Sequence, residues 1–416
     1  MSQAAFHYQG EDLWVEGVSL AELGATLGTP LYVYSTQALK ANFQAYQLAL
    51  KNQPSLIAYS VKAASNLAIL HLLKEEGAGS DIVSGGELKR ALQVGVDPQK
   101  IVFSGVGKTA EEMIQALKAG ILMFNVESAP EMRLLAATAR ELGKKAPLAL
   151  RVNPDVDPQT HPYIATGFRE SKFGVPIEEA LALYQEATAD PYLEVVGLDC
   201  HIGSQLTSVS PFAAAAERLR ALLARLAAVG VNIQLLDVGG GLGINYHGEE
   251  IPSPQELVQA FGELLAAYPG LRLILEPGRS IVGQAAVLLI KCLYNKVTPF
   301  KRFVITDGAM SDLIRPSLYG SYHEIKPVRA AGRPAAKVNV VGPICESGDF
   351  LAQDREIPLV ESGEFLAVFG AGAYGFAMSS NYNSRPRPAE ALVDGARFRV
   401  IRARETLEDL TRGETI

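Results

Sequence analysis

A chain of 416 residues, 48% of them hydrophobic, is long enough for two domains and a large core and leaves little room for disorder. A net charge of −7, with no run of Lys and Arg, argues against nucleic-acid binding. Cys200, Cys292 and Cys345 are too few and too scattered for a disulfide framework or a zinc site, no apolar run reaches membrane-spanning length, and residues 1–7 lack a signal-peptide pattern, so a cytoplasmic protein is expected.

Residues 1–30 carry short strand-like pieces such as Leu13-Trp14-Val15 and a helical stretch at 19–27, and are assigned to the second domain below. From residue 31 strands and helices alternate. The spacing predicts strands at 56–61, 79–83, 101–104, 121–126, 148–152, 194–201, 234–238 and 272–276. Helical patterns lie between them at 66–74, 86–94, 110–119, 130–142, 177–187, 211–228 and 254–267, and Gly95, Gly120, Gly143 and Gly230 stop several of these. Eight such strands within residues 31–280 are the pattern of a parallel (β/α)8, TIM-like barrel, and the count favours it over a doubly wound sheet. Residues 281–416 read differently: segments at 285–293, 302–307, 337–341 and 365–369 are short, β-rich and separated by Gly and Pro. They predict a C-terminal β-domain, a β-barrel or β-sandwich.

In such a barrel the active site lies at the C-terminal ends of the strands. There the sequence places Lys62, then Asp81 and Ser84, then Arg151-Val152-Asn153, His201-Ile202-Gly203-Ser204-Gln205, Asp237-Val238-Gly239-Gly240-Gly241 and Glu276-Pro277-Gly278-Arg279. Lys62 follows the buried run Leu56-Ile57-Ala58-Tyr59. Partial loss of hydration at that point lowers an amine's pKa and makes it a nucleophile able to form a Schiff base. Read alone, Lys62 is a solvated loop lysine; the polar residues at the other strand ends reverse that reading.

The glycines after strand seven let backbone N–H groups approach an anion, and with Gly278 and Arg279 after strand eight they predict a phosphate cradle. The G-x-G-x-x-G spacing fails there. In Gly105-Val106-Gly107-Lys108-Thr109, Val102 stands where a Walker loop has its first glycine, so both nucleotide motifs are rejected. A lysine beside a phosphate site points to pyridoxal 5'-phosphate, with Glu276 as the acid for its ring nitrogen. His201 is a candidate to lie against the ring face, and by itself reads equally as a hydrogen-bonded core histidine. No clustered His/Cys pattern supports a metal.

These residues, with Tyr59-Ser60-Val61-Lys62-Ala63, Gly239-Gly240-Gly241-Leu242-Gly243, Cys345-Glu346-Ser347-Gly348-Asp349 and Gly372-Ala373-Tyr374-Gly375, give the chain its resemblance to the fold-type III pyridoxal-phosphate-dependent decarboxylases over nearly its whole length. Thr160-His161-Pro162-Tyr163-Ile164, Ser171-Lys172-Phe173-Gly174 and Asp312-Leu313-Ile314-Arg315-Pro316-Ser317-Leu318-Tyr319 are similar to the diaminopimelate branch of that family. The resemblance implies decarboxylation of meso-2,6-diaminopimelate to L-lysine and CO2, by a homodimer with shared active sites. It implies that Lys62 carries pyridoxal 5'-phosphate as a Schiff base. Asp81, His201, Ser204, Gly240, Gly241, Glu276, Pro277, Gly278, Arg279 and Tyr374 would hold the cofactor. Arg279, Arg315, Tyr319, Glu346 and Tyr374 would contact substrate, and Cys345, from the partner subunit together with Glu346, would supply the proton that replaces the carboxylate.

The chemistry of the substrate agrees, since arginines suit a distal carboxylate and Glu346 a distal ammonium. Taken singly, Arg315 reads as a surface salt bridge, Cys345 as a buried inert thiol, and Tyr319 and Tyr374 as packing aromatics. Three rival functions stay open: a decarboxylase of ornithine, arginine or lysine; a racemase, which by resemblance to alanine racemase would need an arginine where Glu276 stands; and a non-catalytic cofactor-binding protein, which would lack Lys62 or Cys345.

Overall fold

The computed structural model describes residues 5–157, 172–330 and 332–416. The chain divides into two compact units: residues 43–244 with 250–280, and residues 1–42 with 245–249 and 281–416.

In the first unit, eight parallel strands among the described residues close into a barrel. They are Ser55–Ser60, Gly79–Ile82, Ile101–Phe103, Met123–Val126, Ala146–Asn153, Leu193–Asp199, Leu235–Asp237 and Arg272–Leu275. Closure comes where the eighth strand pairs with the first, Leu273 opposite Ser55 and Leu275 opposite Ile57. All eight strands expected from the alternation are present. Leu56, Ala58, Val102, Met123, Ala149, Leu235 and Ile274 pack together as a core. At about 25 cal/mol per Å² of buried apolar surface, such a core is what holds the strands in register.

The helices between the strands begin at side-chain caps. Asn66, Ser84 and Ser128 each accept a backbone N–H of their helix's first turn, and Thr109 forms a reciprocal capping box with Glu112. Gly120 (φ 72°) and Gly143 (φ 60°) end two of them in the left-handed conformation. The helix expected over 254–267 is two, Pro254–Ala260 and Gly262–Ala267. At the break, the Phe261 amide bonds back only three residues, to Val258 O at 3.1 Å.

The second unit is mostly sheet. Leu31–Ser35 runs antiparallel to Ala286–Val297 on one side and parallel to Ala389–Asp394 on the other. This strand had been grouped with the barrel in the 31–280 domain; its ladder partners put it in the β-rich unit. Periodicity identifies a strand but not the sheet it joins. The sheet continues from Ala286–Val297 through Arg302–Thr306 and Ala335–Val341 to Phe350–Pro358, and beyond Ala389–Asp394 to Arg397–Arg402. Phe6, Leu13 and Val15 from the N-terminal strands pack with Leu31, Val33, Val287, Leu289, Ala391 and Val393. Among the described residues no helix is long and apolar enough to cross a membrane.

Candidate active site

The first barrel strand ends in the short turn Val61–Ala63, which carries Lys62. Lys62 Nζ donates to Asp81 Oδ2 at 2.8 Å, and the Ser60 hydroxyl donates to the same oxygen at 2.5 Å. The Lys62 side chain is 39% exposed while Asp81 is fully buried. The amine is therefore anchored at a fixed carboxylate yet open to solvent at the strand ends.

Below it lies a floor of buried acids: Asp81, Asp199, Asp237 and Glu276. The Ser104 hydroxyl donates to Glu276 Oε1 at 3.3 Å. Asn125 Nδ2 donates to Asp237 Oδ2 at 3.0 Å and reaches Glu276 Oε1 at 3.5 Å, the limit of a hydrogen bond. Arg151, also buried, donates from Nη1 to Glu127 Oε1 at 3.0 Å. Burial, and then Asp237, Asp81 and Asp199, push the Glu276 carboxyl well above the usual carboxylate range. Burial pushes Asp237 up to about 6, against the Gly239 amide that hydrogen-bonds it. His201 is driven well below the usual imidazole value by burial and by the cations Arg151 and Lys62, so its ring is neutral at pH 7.

Glycine is required where the loops after strands six, seven and eight meet. A Cβ on Gly240 would stand 2.3 Å from Glu276 O, and one on Gly241 (φ +100°) 2.6 Å from Gly203 O. A Cβ on Gly239 would stand 2.4 Å from His201 Nδ1, and one on Gly278 2.9 Å from Ser60 Cβ. Ser60 N donates to Pro277 O at 3.1 Å, and Arg279 Nη2 donates to Ser204 Oγ at 3.1 Å. Bare backbone, a serine hydroxyl and an arginine are what a phosphate needs. A buried acid with a raised pKa calls for a cation. The residues thus fit a group with a phosphate at one end and a protonated ring nitrogen at the other. Among the described residues no His, Cys, Asp or Glu group is arranged to hold a metal ion.

The remaining expected site residues lie in the β-rich unit. Arg315 opens the helix Arg315–Tyr319 and is buried. Its Nη1 lies 2.8 Å from Tyr246 Oη and 2.9 Å from His323 Nε2, and Nη2 donates to Ser321 Oγ at 3.3 Å. Arg315 is thus a buried guanidinium rather than the surface residue it suggested by itself. Tyr319, at the end of the same helix, is half-buried.

Cys345 is exposed, contrary to the reading of an inert buried thiol. Its loop is built on Asp349, whose two carboxylate oxygens accept the Met310 and Ile344 amides, each at 2.7 Å. Cys345 N donates to Asn383 Oδ1 at 2.8 Å, and the Glu346 carboxylate raises the pKa of nearby Tyr382. Tyr374 holds φ +56°, an uncommon conformation for a side-chain-bearing residue. It sits between Gly372, where a Cβ would meet Val282 O at 1.9 Å, and Gly375, where one would meet Ala371 O at 2.3 Å. The motif residues 160–164 and Ser171 lie outside the described residues.

Ser104, Asn125 and Glu127 were not anticipated. They stand at the ends of strands three and four, each directly after or within an apolar run (Ile101-Val102-Phe103-Ser104 and Met123-Phe124-Asn125-Val126-Glu127). That break in hydrophobicity was the available signal. Lys108, in the rejected Walker-like stretch, spends its three donors on Gly105 O, Asn125 O and Glu131 Oε1, each at 2.7 Å, which is a structural role.

Comparison with known proteins agrees with this geometry. Residues 36–283 match a family model described as pyridoxal-dependent decarboxylase, pyridoxal binding domain. The chain is 52% identical over 411 residues to the diaminopimelate decarboxylase of Pseudomonas aeruginosa, covering 99% of both chains. Its fold is similar to that of diaminopimelate decarboxylase from Helicobacter pylori complexed with L-lysine, at a TM-score of 0.91 and 44% identity over 94% of this chain and 98% of that one. It is similar also to the enzyme from M. jannaschii in co-complex with L-lysine, at a TM-score of 0.94 and 40% identity over 99% and 98%.

Proposed function

Because this chain belongs to the pyridoxal-dependent decarboxylases, we propose that it converts meso-2,6-diaminopimelate to L-lysine and CO2, the last step of lysine biosynthesis, as a cytoplasmic homodimer with shared active sites. The observation that carries the reading is Lys62 Nζ held 2.8 Å from buried Asp81 at the end of the barrel where buried Glu276 also lies. The relatives, named for diaminopimelate, support the choice of substrate.

When bound, pyridoxal 5'-phosphate supplies a sink for the electron pair that departing CO2 leaves behind. Lys62 is the amine that holds it. Ser204, Gly240, Gly241, Pro277, Gly278, Arg279 and Tyr374 hold its phosphate end. Glu276 supplies the acid for its ring nitrogen, and the neutral ring of His201 offers a flat, uncharged face. Arg279 and Arg315 bind substrate carboxylates through their forked donors, Glu346 binds the distal ammonium, and Tyr319 and Tyr374 complete the recognition. Cys345 Sγ, from the partner subunit, gives a proton to the carbon that lost its carboxylate. What the protein adds is orientation of the bond to be broken and delivery of that proton.

The test is CO2 release by purified protein supplemented with pyridoxal 5'-phosphate and offered meso-diaminopimelate, L-ornithine, L-arginine and L-lysine in parallel. Release from meso-diaminopimelate alone, with L-lysine formed, is expected. Release from one of the others would overturn the roles of Arg315 and Glu346 while keeping the cofactor.

A further inference from the structure

His323 has no role in the function described so far, yet it is fully buried against Arg315 in the β-rich unit. Its Nε2 lies 2.9 Å from Arg315 Nη1, and its Nδ1 lies 2.8 Å from Phe369 O. These two partners leave the ring one protonation state. A guanidinium only donates, so Nε2 accepts from it. A backbone carbonyl only accepts, so Nδ1 carries the proton and donates. A proton on Nε2 would set N–H against N–H, and a doubly protonated ring would add a second cation to that clash. The ring is thus a neutral imidazole of one tautomer.

Packing fixes the ring as closely as its partners do. Gly370 (φ +67°) follows the accepting carbonyl, and a Cβ there would stand 3.2 Å from the Tyr246 ring and 3.8 Å from His323 Nδ1. The Tyr246 and His323 rings meet edge to face, with centroids 5.3 Å apart. Arg355 Nη1 donates to His323 O at 2.7 Å, which holds the backbone. Arg315 Nη1 has two N–H groups, and Tyr246 Oη at 2.8 Å and His323 Nε2 take both. The guanidinium carbon also lies 4.7 Å from the centre of the Tyr246 ring. Together these contacts set the plane of the arginine fork.

We propose that His323 is the positioning residue for Arg315. As the Nδ1–H tautomer it ties the guanidinium to the fixed carbonyl of Phe369 and so orients the fork for a substrate carboxylate. Paired hydrogen bonds to a carboxylate depend on the plane in which they are offered, so an arginine that turns binds it less well. The inference rests on the reading of Arg315 as a substrate-binding residue.

The test joins a spectrum to kinetics, on protein reconstituted with pyridoxal 5'-phosphate. Nitrogen NMR of 15N-histidine-labelled protein at pH 7.5, with the His323 signal identified by its loss in His323→Gln, is expected to show a neutral ring protonated on Nδ1. A ring protonated on Nε2, or on both nitrogens, would overturn the proposal. His323→Leu loses the acceptor, while His323→Gln keeps one acceptor and one donor. With meso-diaminopimelate, His323→Leu is expected to raise KM about tenfold, the weight of one hydrogen bond to a charged group, and to change kcat far less. His323→Gln is expected to restore most of that loss, which a role in packing alone would not allow. Equal losses in the two variants would overturn the proposal. So would an unchanged KM in a folded His323→Leu when Arg315→Lys raises it. An unchanged KM in Arg315→Lys as well would remove the reading of Arg315 and this proposal with it, so the two failures are told apart. If His323→Leu does not fold, the wild-type spectrum and His323→Gln decide.

Discussion

Lys62 Nζ and the Ser60 hydroxyl converge on one oxygen of Asp81, at 2.8 and 2.5 Å. Among the described residues the Asp81 oxygen Oδ1 has no hydrogen-bond partner. Asp81→Asn keeps the shape and loses the charge. A hydrogen bond to a charged group is worth about 1.5–3 kcal/mol, and partial exposure of Lys62 argues for the low end. A fall of roughly tenfold in kcat/KM is expected, with cofactor still bound in the absorbance spectrum. Lys62→Ala should instead abolish CO2 release altogether. Wild-type kcat/KM in Asp81→Asn would show that the pair has no part in catalysis.

Glu276→Gln removes the acid assigned to the ring nitrogen and keeps a hydrogen-bonding side chain. The loss should fall on kcat, on the order of 100-fold, which is the lower end for an acid–base group. Cofactor affinity, from titration of the apoprotein, should change far less. Equal losses in both would mean that Glu276 serves binding alone.

Cys345→Ala should lower kcat by about 100-fold or more, as expected for loss of a proton donor. Mixing inactive Lys62→Ala chains with inactive Cys345→Ala chains tests whether sites are shared. Recovery of activity on mixing is expected. Confirmed subunit exchange without recovery would place Cys345 in its own subunit's site or outside the chemistry.

Gly240→Ala would bring a methyl group to 2.3 Å from Glu276 O, a backbone atom that cannot swing away. Overpacking of this kind costs about 3 kcal/mol at the upper end of its usual range. A lower thermal midpoint and weaker cofactor retention should appear together. A variant as stable as wild type would show that the strand-end loops yield more easily than their geometry indicates.

Asp312, in the β-rich unit, gives a pH dependence of stability. Burial pushes its carboxyl up to about 7, against about 3.9 in an unfolded chain. Between those values the folded chain binds more protons than the unfolded one, so stability falls as pH rises. Asp312→Asn retains an oxygen for the Ala309 amide, now 2.9 Å from Oδ2. It should gain on the order of 2 kcal/mol over wild type at pH 7 relative to pH 4. Urea titrations at the two pH values would measure this, and an unchanged difference would refute it.

The barrel was legible because its strands are short apolar runs closed by polar residues and its helices carry caps and terminal glycines. Each of the eight strands was found within a few residues of its place. Lys62, His201 and Glu276 were legible for the same reason, as polar groups where an apolar run stops. Ser104 and Asn125 were passed over because a single serine or asparagine next to a strand is common, and only closure of the barrel turns both toward Glu276. The membership of Leu31–Ser35 was hidden more deeply, since Leu-Tyr-Val-Tyr suits any buried strand and its partners are remote in sequence. The burial of Arg315 among Tyr246, His323 and Ser321 depends on three separate segments meeting, which no local pattern announces.

That remote pairing of Leu31–Ser35 has a consequence for synthesis. The strand leaves the ribosome before any of the barrel strands, but both of its ladder neighbours leave after the last of them. Among the described residues the barrel strands pair with one another and with the short strand Val175–Pro176 from the same stretch of chain, so the barrel can close on the growing chain while Leu31–Ser35 is still without neighbours. For that interval an apolar strand with two open edges is exposed to whatever lies nearby, including the same strand on an adjacent nascent chain. A ribosome that stalls beyond the barrel therefore releases a product with one finished half and one adhesive segment, and slow translation of the C-terminal third should favour aggregation more than slow translation of the barrel.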